Sequence, residues 1–225
     1  MIPCTLTAED LAVRLAGVRS RIEAAGGDPA AVTVLAVTKG FDASAVALAA
    51  GADLWDLGEN YGQELVAKAP DAPPGVRWHF IGRLQRNKVR QLAPHVGLWQ
   101  SVDRAALGAE IAARAPGAAV LVQVNVSGEE QKGGAAPDAV PALVADLQAD
   151  GLDVQGLMAV GATGAPEASR PGFARVRALA DALDLPIRSM GMSADLEVAV
   201  SEGATMVRIG TALFGPRHAR GPLGN

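Results

Sequence analysis

The feature that most restricts how this chain folds is a repeat of type rather than of residues. Eight apolar, β-branched runs follow one another, at 32–39, 52–59, 76–82, 97–103, 119–127, 154–161, 186–193 and 205–210. Between them lie Ala- and Leu-rich stretches with helical spacing, such as 43–50, 63–69, 88–93, 105–115 and 138–149. Strands that alternate with helices predict a parallel sheet. Strands of such a sheet are covered on both faces, so they read as continuous apolar runs. Val32-Thr33-Val34-Leu35-Ala36-Val37 and Ala119-Val120-Leu121-Val122-Gln123-Val124 have that character. Eight units in 225 residues favour an α/β fold closed as a (β/α)8 TIM barrel, with an open doubly wound sheet as the alternative. Before the first run, Leu11, Leu15, Val18 and Ile22 fall on one helix face, which predicts an N-terminal helix packed outside the barrel.

Apolar residues make up 49% of the chain and charged residues 20%, a globular balance. No linker-like stretch divides it, so residues 1–225 are expected to form a single domain with no second domain. The net charge is −4 and there is no basic run, which speaks against nucleic-acid binding. No apolar run is long enough to span a membrane. One cysteine, Cys4, and no visible signal segment point to the reducing cytoplasm.

In an α/β barrel the chemistry collects at the C-terminal ends of the strands. Lys39 stands out there, because of the four lysines it alone ends an apolar run; Lys68 reads as part of a polar helical stretch. An amine so placed loses solvation, which favours the neutral nucleophile that Schiff-base formation needs. A lysine reaching from the rim to water is the alternative. Barrels often bind phosphate with the loops after strands seven and eight. Here these carry Ser189-Met190-Gly191-Met192-Ser193 and Arg208-Ile209-Gly210-Thr211. Ser193 precedes Ala194-Asp195-Leu196-Glu197 and reads as a helix N-cap, with or without a ligand. Arg208 follows Met206-Val207 and needs an acceptor, either a carboxylate or a cofactor ring nitrogen. The loop 128–137 reads as a mobile flap or a solvated turn. His79, His95 and His218 show no metal-ligand spacing, and no metal site is expected.

At these residues the chain resembles the pyridoxal phosphate homeostasis proteins of the YggS/PROSC type, single barrels similar to the N-terminal domain of alanine racemase. The matching segments include Ala36-Val37-Thr38-Lys39, Leu57-Gly58-Glu59-Asn60-Tyr61-Gly62-Gln63-Glu64, and Trp78-His79-Phe80-Ile81-Gly82-Arg83-Leu84-Gln85-Arg86-Asn87-Lys88. Val124-Asn125-Val126-Ser127-Gly128-Glu129, Gly156-Leu157-Met158, 189–195 and 207–215 follow in the family's order. The resemblance implies pyridoxal 5′-phosphate (PLP) as cofactor, held as a Schiff base on Lys39. It implies Ser193, Gly210 and Thr211 at the phosphate, joined by Ser189. It implies Arg208 facing the pyridine nitrogen, with Asn60 and Met158 near the cofactor. Glu59 and His79 belong to specific motifs but receive no role. Two departures, Gly40-Phe41 after the lysine and a short C-terminal tail, remove no nameable contact.

An arginine stays protonated and disfavours a proton on the ring nitrogen, which weakens the ring as an electron sink. The chain has one tyrosine, Tyr61, and it is not placed like a racemase base. No catalytic residue is assigned. The expectation is a monomeric binding protein that buffers PLP inside the cell and supplies client enzymes. A PLP-dependent amino-acid racemase or related fold-type III enzyme is the alternative, and a phosphate-binding isomerase without PLP a third reading.

Overall fold

The computed structural model describes residues 1–216; Arg217 and His218 lie outside the described residues. It is a closed barrel of eight parallel strands in sequential order. The strands are β1 (Thr33–Val37), β2 (Asp56–Glu59), β3 (Arg77–Phe80), β4 (Val96–Val102), β5 (Ala119–Val124), β6 (Asp153–Ala159), β7 (Ile187–Ser189) and β8 (Met206–Ile209). β8 pairs with β1 in parallel, Leu35 beside Arg208 and Ala36 beside Ile209, which closes the ring and excludes the open sheet.

Every expected strand is present, but most are shorter than the apolar runs at their C-terminal ends. The first run ends at Val37 rather than Lys39, and the seventh at Ser189 rather than Ser193. The excess residues are the ones that turn over the barrel mouth. Hydrophobicity does not mark that point, and single backbone bonds outlast the regular pairing, Thr38 N–H to Gly58 and Met190 N–H to Met206.

The helices are α1 (Ala8–Ala24), α2 (Ala43–Ala50), α3 (Gly62–Lys68), α4 (Arg86–Leu92), α5 (Ala105–Arg114), α6 (Val140–Ala149), α7 (Arg170–Ala182), α8 (Leu196–Ser201) and α9 (Thr211–Phe214). α1 opens with a capping box, in which Thr7 and Asp10 each accept the other's backbone N–H. Its buried face is Leu11, Leu15, Val18 and Ile22, as the spacing predicts. Each such side chain contributes roughly 2 kcal/mol by leaving water.

Alternation along the strands builds two cores. Leu57, Trp99, Val120, Val122 and Val207 face outward and join the helices. Leu35, Leu98, Leu121, Met158 and Met206 face inward and fill the lumen. Above and among these apolar residues the lumen also carries polar side chains. They define the site.

Candidate functional site

Lys39 stands two residues beyond β1 and is half-buried. Gly40 turns the chain after it with φ +85°, a conformation glycine adopts without strain. Leu35 lies in the lumen and Ala36 outside it, so the strand's parity carries Lys39 to the lumen side. The register Val37–Gly58 extends toward Asn60, and Ala36–Ile209 toward Gly210 and Thr211. Lys39 therefore has Asn60 on one side of the barrel mouth and the β8–α9 turn on the other.

Behind the barrel wall the backbone on both sides of Lys39 is held by charge. Lys68 Nζ donates to the carbonyl of Thr38 at 2.8 Å and to Glu59 Oε1 at 2.5 Å. The Thr38 hydroxyl donates to the same Glu59 oxygen at 2.6 Å. The N–H of Gly40 donates to Glu64 Oε2 at 2.6 Å, and Lys68 lies 3.8 Å from that carboxylate. Glu59 is 0% and Lys68 1% exposed. Burial pushes the Glu59 carboxyl up, against the pull of Lys68 and Thr38. This corrects the reading of Lys68 as part of a polar stretch: the last residue of α3 points into the wall. Its signal in the sequence is the spacing to Glu64, four residues before it on the same helix face.

The phosphate-loop expectations divide. Ser193 is not the N-cap of the following helix; α8 starts at Leu196, with Asp195 at the cap position. Asp195 Oδ1 instead accepts the N–H of Met192 at 2.6 Å and closes that turn. Ser193 Oγ accepts the N–H of Ala212 at 3.2 Å, in the first turn of α9, whose N-cap is Gly210. The fold thus brings Ser193, Gly210 and Thr211 together. α1 secures both loops. Arg21 Nη2 donates to the Ser193 carbonyl at 2.9 Å, and Arg14 Nη1 to that of Leu213 at 3.2 Å. Glu197 grips Arg21 from the other side at 2.6 and 2.8 Å.

Asn60 is set by Gly82. A Cβ at Gly82 would collide with the Asn60 carbonyl, so only glycine lets the end of β3 pass there. Asn60 Oδ1 is buried and has no hydrogen-bond partner among the described residues. Met158 is buried in the lumen cluster.

Arg208 is 4% exposed. Its Nη1 donates to the Ser189 carbonyl at 2.6 Å and hydroxyl at 3.0 Å, and its Nη2 to the Ala159 carbonyl at 2.7 Å. None of these acceptors is a carboxylate. Burial pushes the guanidinium down to about 10, which leaves it charged near neutrality. Ser189 is fully buried, and its hydroxyl also donates to Gln100 Oε1 at 2.7 Å. Its hydrogen bonds therefore lie with Arg208 and Gln100 rather than with the Ser193–Ala212 pair. Below it, Gln100 Nε2 lies 2.7 Å from His79 Nδ1, and His79 Nε2 lies 2.8 Å from Asp56 Oδ1. Burial pushes the imidazole down, while the His79 hydrogen bond holds the Asp56 carboxyl below its usual range. With burial outweighing Asp56, the neutral imidazole is favoured at neutral pH. Asp56 and Gln100 escaped the sequence reading, although Gln100 is a polar residue on the inward parity of an apolar strand.

The loop 128–137 is tied down rather than simply solvated. Lys132 Nζ donates to Glu129 at 2.5 Å and to the Gly161 carbonyl at 2.6 Å, and the Thr163 hydroxyl donates to Glu129 at 2.7 Å. Lys132 and Thr163 thus join two neighbouring loops through Glu129, and these bonds hold the half-buried Glu129 carboxyl down to about 2. Among the described residues no group of His, Cys, Asp and Glu has the arrangement of a metal site. No helix among them is long and apolar enough to cross a membrane.

Comparison with known proteins gives a consistent picture. The family described as alanine racemase, N-terminal domain, matches residues 10–218. The pyridoxal phosphate homeostasis protein of Pseudomonas aeruginosa is 46% identical over 224 residues, covering 96% of this chain and 97% of that one. Its counterpart in Escherichia coli K12 is 40% identical over 229 residues, covering 92% and 97%. PipY of Synechococcus elongatus, in a structure with PLP bound, superposes with a TM-score of 0.81 at 33% identity, covering 91% of this chain and 100% of PipY.

Proposed function

Because this chain belongs to the pyridoxal phosphate homeostasis proteins, a family built on the alanine racemase N-terminal barrel, we propose that it binds PLP at the C-terminal mouth of the barrel and serves intracellular PLP homeostasis. The observation that carries the reading is the placement of Lys39. An amine stands at the mouth between Asn60 and the Ser193–Gly210–Thr211 cluster, with its flanking backbone held by Glu59, Lys68 and Glu64.

The residues present fit the group. A cluster of hydroxyls and backbone N–H groups at the β8–α9 turn suits a phosphate. A buried guanidinium without a directly bonded carboxylate suits an acceptor such as a ring nitrogen. A buried amide oxygen on Asn60 lacks a protein donor. When bound, PLP supplies an aldehyde that takes a primary amine reversibly and a ring that can withdraw electrons.

In this reading Lys39 is the covalent anchor, and the clamp behind it fixes where the amine stands. Ser193, Gly210 and Thr211 hold the phosphate. Arg208 donates to the ring nitrogen and keeps a proton off it; Ser189 supports Arg208, and Met158 floors the pocket. Asn60, whose buried amide oxygen lacks a protein donor, would offer an acceptor to the cofactor. A charged guanidinium at the nitrogen favours storage over carbanion chemistry, so we assign the chain a carrier role rather than a catalytic one. Tyr61 is 54% exposed at the start of α3, which does not favour it as a racemase base. We further assign it a monomeric, cytoplasmic state and PLP-dependent client enzymes, for which a reversible anchor is suited.

The test is an absorbance spectrum of the purified protein with PLP, followed by borohydride reduction and peptide mapping. A reduced pyridoxyl group on Lys39, absent in Lys39→Ala, is the expected result. Reduction at another lysine, or no adduct at all, would overturn the assignment. Absence of amino-acid racemisation by the loaded protein separates carrier from enzyme.

A further inference from the structure

The lumen of an α/β barrel is normally filled by branched apolar side chains. Here five polar residues from five strands cross it in one unbroken series. Asp56 opens β2, His79 lies on β3, Gln100 on β4, Ser189 ends β7 and Arg208 lies on β8. The successive contacts are 2.8, 2.7, 2.7 and 3.0 Å. The first residue is half-buried, and the other four are buried. The series climbs from the N-terminal end of the barrel to the level of Arg208, and β4 and β7, which it bridges, are not neighbours in the sheet.

The direction of every bond follows from its two ends. A guanidinium only donates and a carboxylate only accepts. Arg208 therefore donates to Ser189 Oγ, and the Ser189 hydroxyl must donate onward to Gln100 Oε1. That fixes the amide, whose Nε2 donates to His79 Nδ1. The imidazole then carries its proton on Nε2 and donates to Asp56. No other proton arrangement satisfies all five groups with Asp56 ionised and His79 neutral. The four bonds run donor to acceptor from a cation to an anion, and bonds aligned in this way polarise one another.

Arg208 needs such a device, because it is buried with no carboxylate among its direct acceptors. Asp195 is a nearby carboxylate that acts on it through space but makes no hydrogen bond to it; its Oδ1 accepts the Met192 N–H instead. We propose that Asp56 is a remote counter-ion of Arg208, joined to it through His79, Gln100 and Ser189, and that these four are positioning residues for the ring-nitrogen side of the cofactor pocket. The coupling between Asp56 and Arg208 is a property of the protein alone; its consequence for the ring nitrogen rests on the PLP reading above.

The experiment has a ligand-free arm and a ligand arm. In the ligand-free protein, thermal midpoints are measured for Asp56→Asn, Arg208→Met and the double variant, each with and without Gln100→Met. Residues this far apart normally act additively. Coupling predicts that the double variant melts within ~2 °C of the worse single variant, and that Gln100→Met abolishes the non-additivity. Additive midpoints would overturn the relay. Asp56→Asn keeps an oxygen for His79 and removes only the charge, so it serves the ligand arm even where Arg208→Met does not fold. Its affinity is compared for PLP and for the 1-deaza analogue, in which a C–H replaces the ring nitrogen. A loss of roughly tenfold for PLP, about the effect of one charge-assisted bond, with the analogue unchanged, is expected. Equal losses for both ligands would show that Asp56 acts on the fold and not on the nitrogen. Failure of the unaltered protein to bind PLP would sink the cofactor reading while leaving the ligand-free coupling to stand or fall by itself.

Discussion

A buried ion pair is costly to break because the survivor keeps its desolvation penalty without its partner. Lys68 and Glu59 are such a pair, and both hold Thr38 beside Lys39, Lys68 by its backbone carbonyl and Glu59 by its hydroxyl. Lys68→Met keeps the length of the side chain and removes the charge. It is expected to lower unfolding stability by about 3 kcal/mol, and Glu59→Gln in the same chain to recover about 1 kcal/mol or more. Urea titrations of the three variants check this, and borohydride trapping at Lys39 should weaken in Lys68→Met although that variant retains Lys39. Gly82 makes a different demand. Gly82→Ala drives a methyl into the Asn60 carbonyl, and moving backbone at a strand end costs about 1–3 kcal/mol. PLP affinity should fall with it, because Asn60 is displaced. A variant as stable as the parent, with undiminished affinity, would show that Gly82 is not what places Asn60.

At the scale of elements, α1 does more than cover the barrel. It reaches the segments proposed to hold the phosphate, through Arg21 to Ser193 after β7 and through Arg14 to Leu213 in α9. The Arg21–Glu197 pair is largely exposed, so Arg21→Ala should cost less than about 1 kcal/mol of stability. Losing the hydrogen bond to the Ser193 carbonyl should nevertheless speed PLP release roughly fivefold, the equivalent of about 1 kcal/mol. Stopped-flow transfer to an apo-acceptor enzyme reads this, and an unchanged rate would mean that α1 does not hold the loop. The elements themselves were largely legible in the sequence. Eight apolar runs became eight strands, and the face Leu11–Leu15–Val18–Ile22 became the buried side of α1. The strand ends were less so, because Thr38 and Met190 still donate to Gly58 and Met206 of the neighbouring strands and the apolar run continues through them, although regular pairing has ended. Ser193 showed a cap motif, but tertiary packing gave its hydroxyl to Ala212 of α9 rather than to α8. The Glu59–Lys68 clamp and the lumen series were not legible as units. Their members come from separate elements, and only barrel closure makes them neighbours.

At the scale of the whole barrel, the lumen series makes stability depend on pH. The ordinary histidine value is 6.5, and burial pushes His79 below it in the folded state. As pH falls through 6.5 the unfolded chain takes a proton that the folded barrel resists, so the unfolded state gains protons and stability drops. His79 thus contributes stability that is present above 6.5 and lost progressively toward its lower folded value. Glu59 works in the opposite sense. Its carboxyl is raised above 4.5, so it contributes stability at low pH that is lost as pH rises through its folded value. Asp56, held below 3.8, contributes stability that is present above 3.8 and is lost only as pH falls through its lower folded value, outside the range in which His79 acts. The comparison must therefore be between proteins and not between pH values alone. His79→Gln removes the imidazole while leaving Glu59 and Asp56 in place. The parent should lose stability as pH falls through about 6.5, with a slope of at most about 1.4 kcal/mol per unit, and the variant should lack that part of the slope. Parallel curves for parent and variant across this range would mean that His79 takes its proton inside the barrel, where Gln100 would have to turn over and leave the Ser189 hydroxyl without its acceptor.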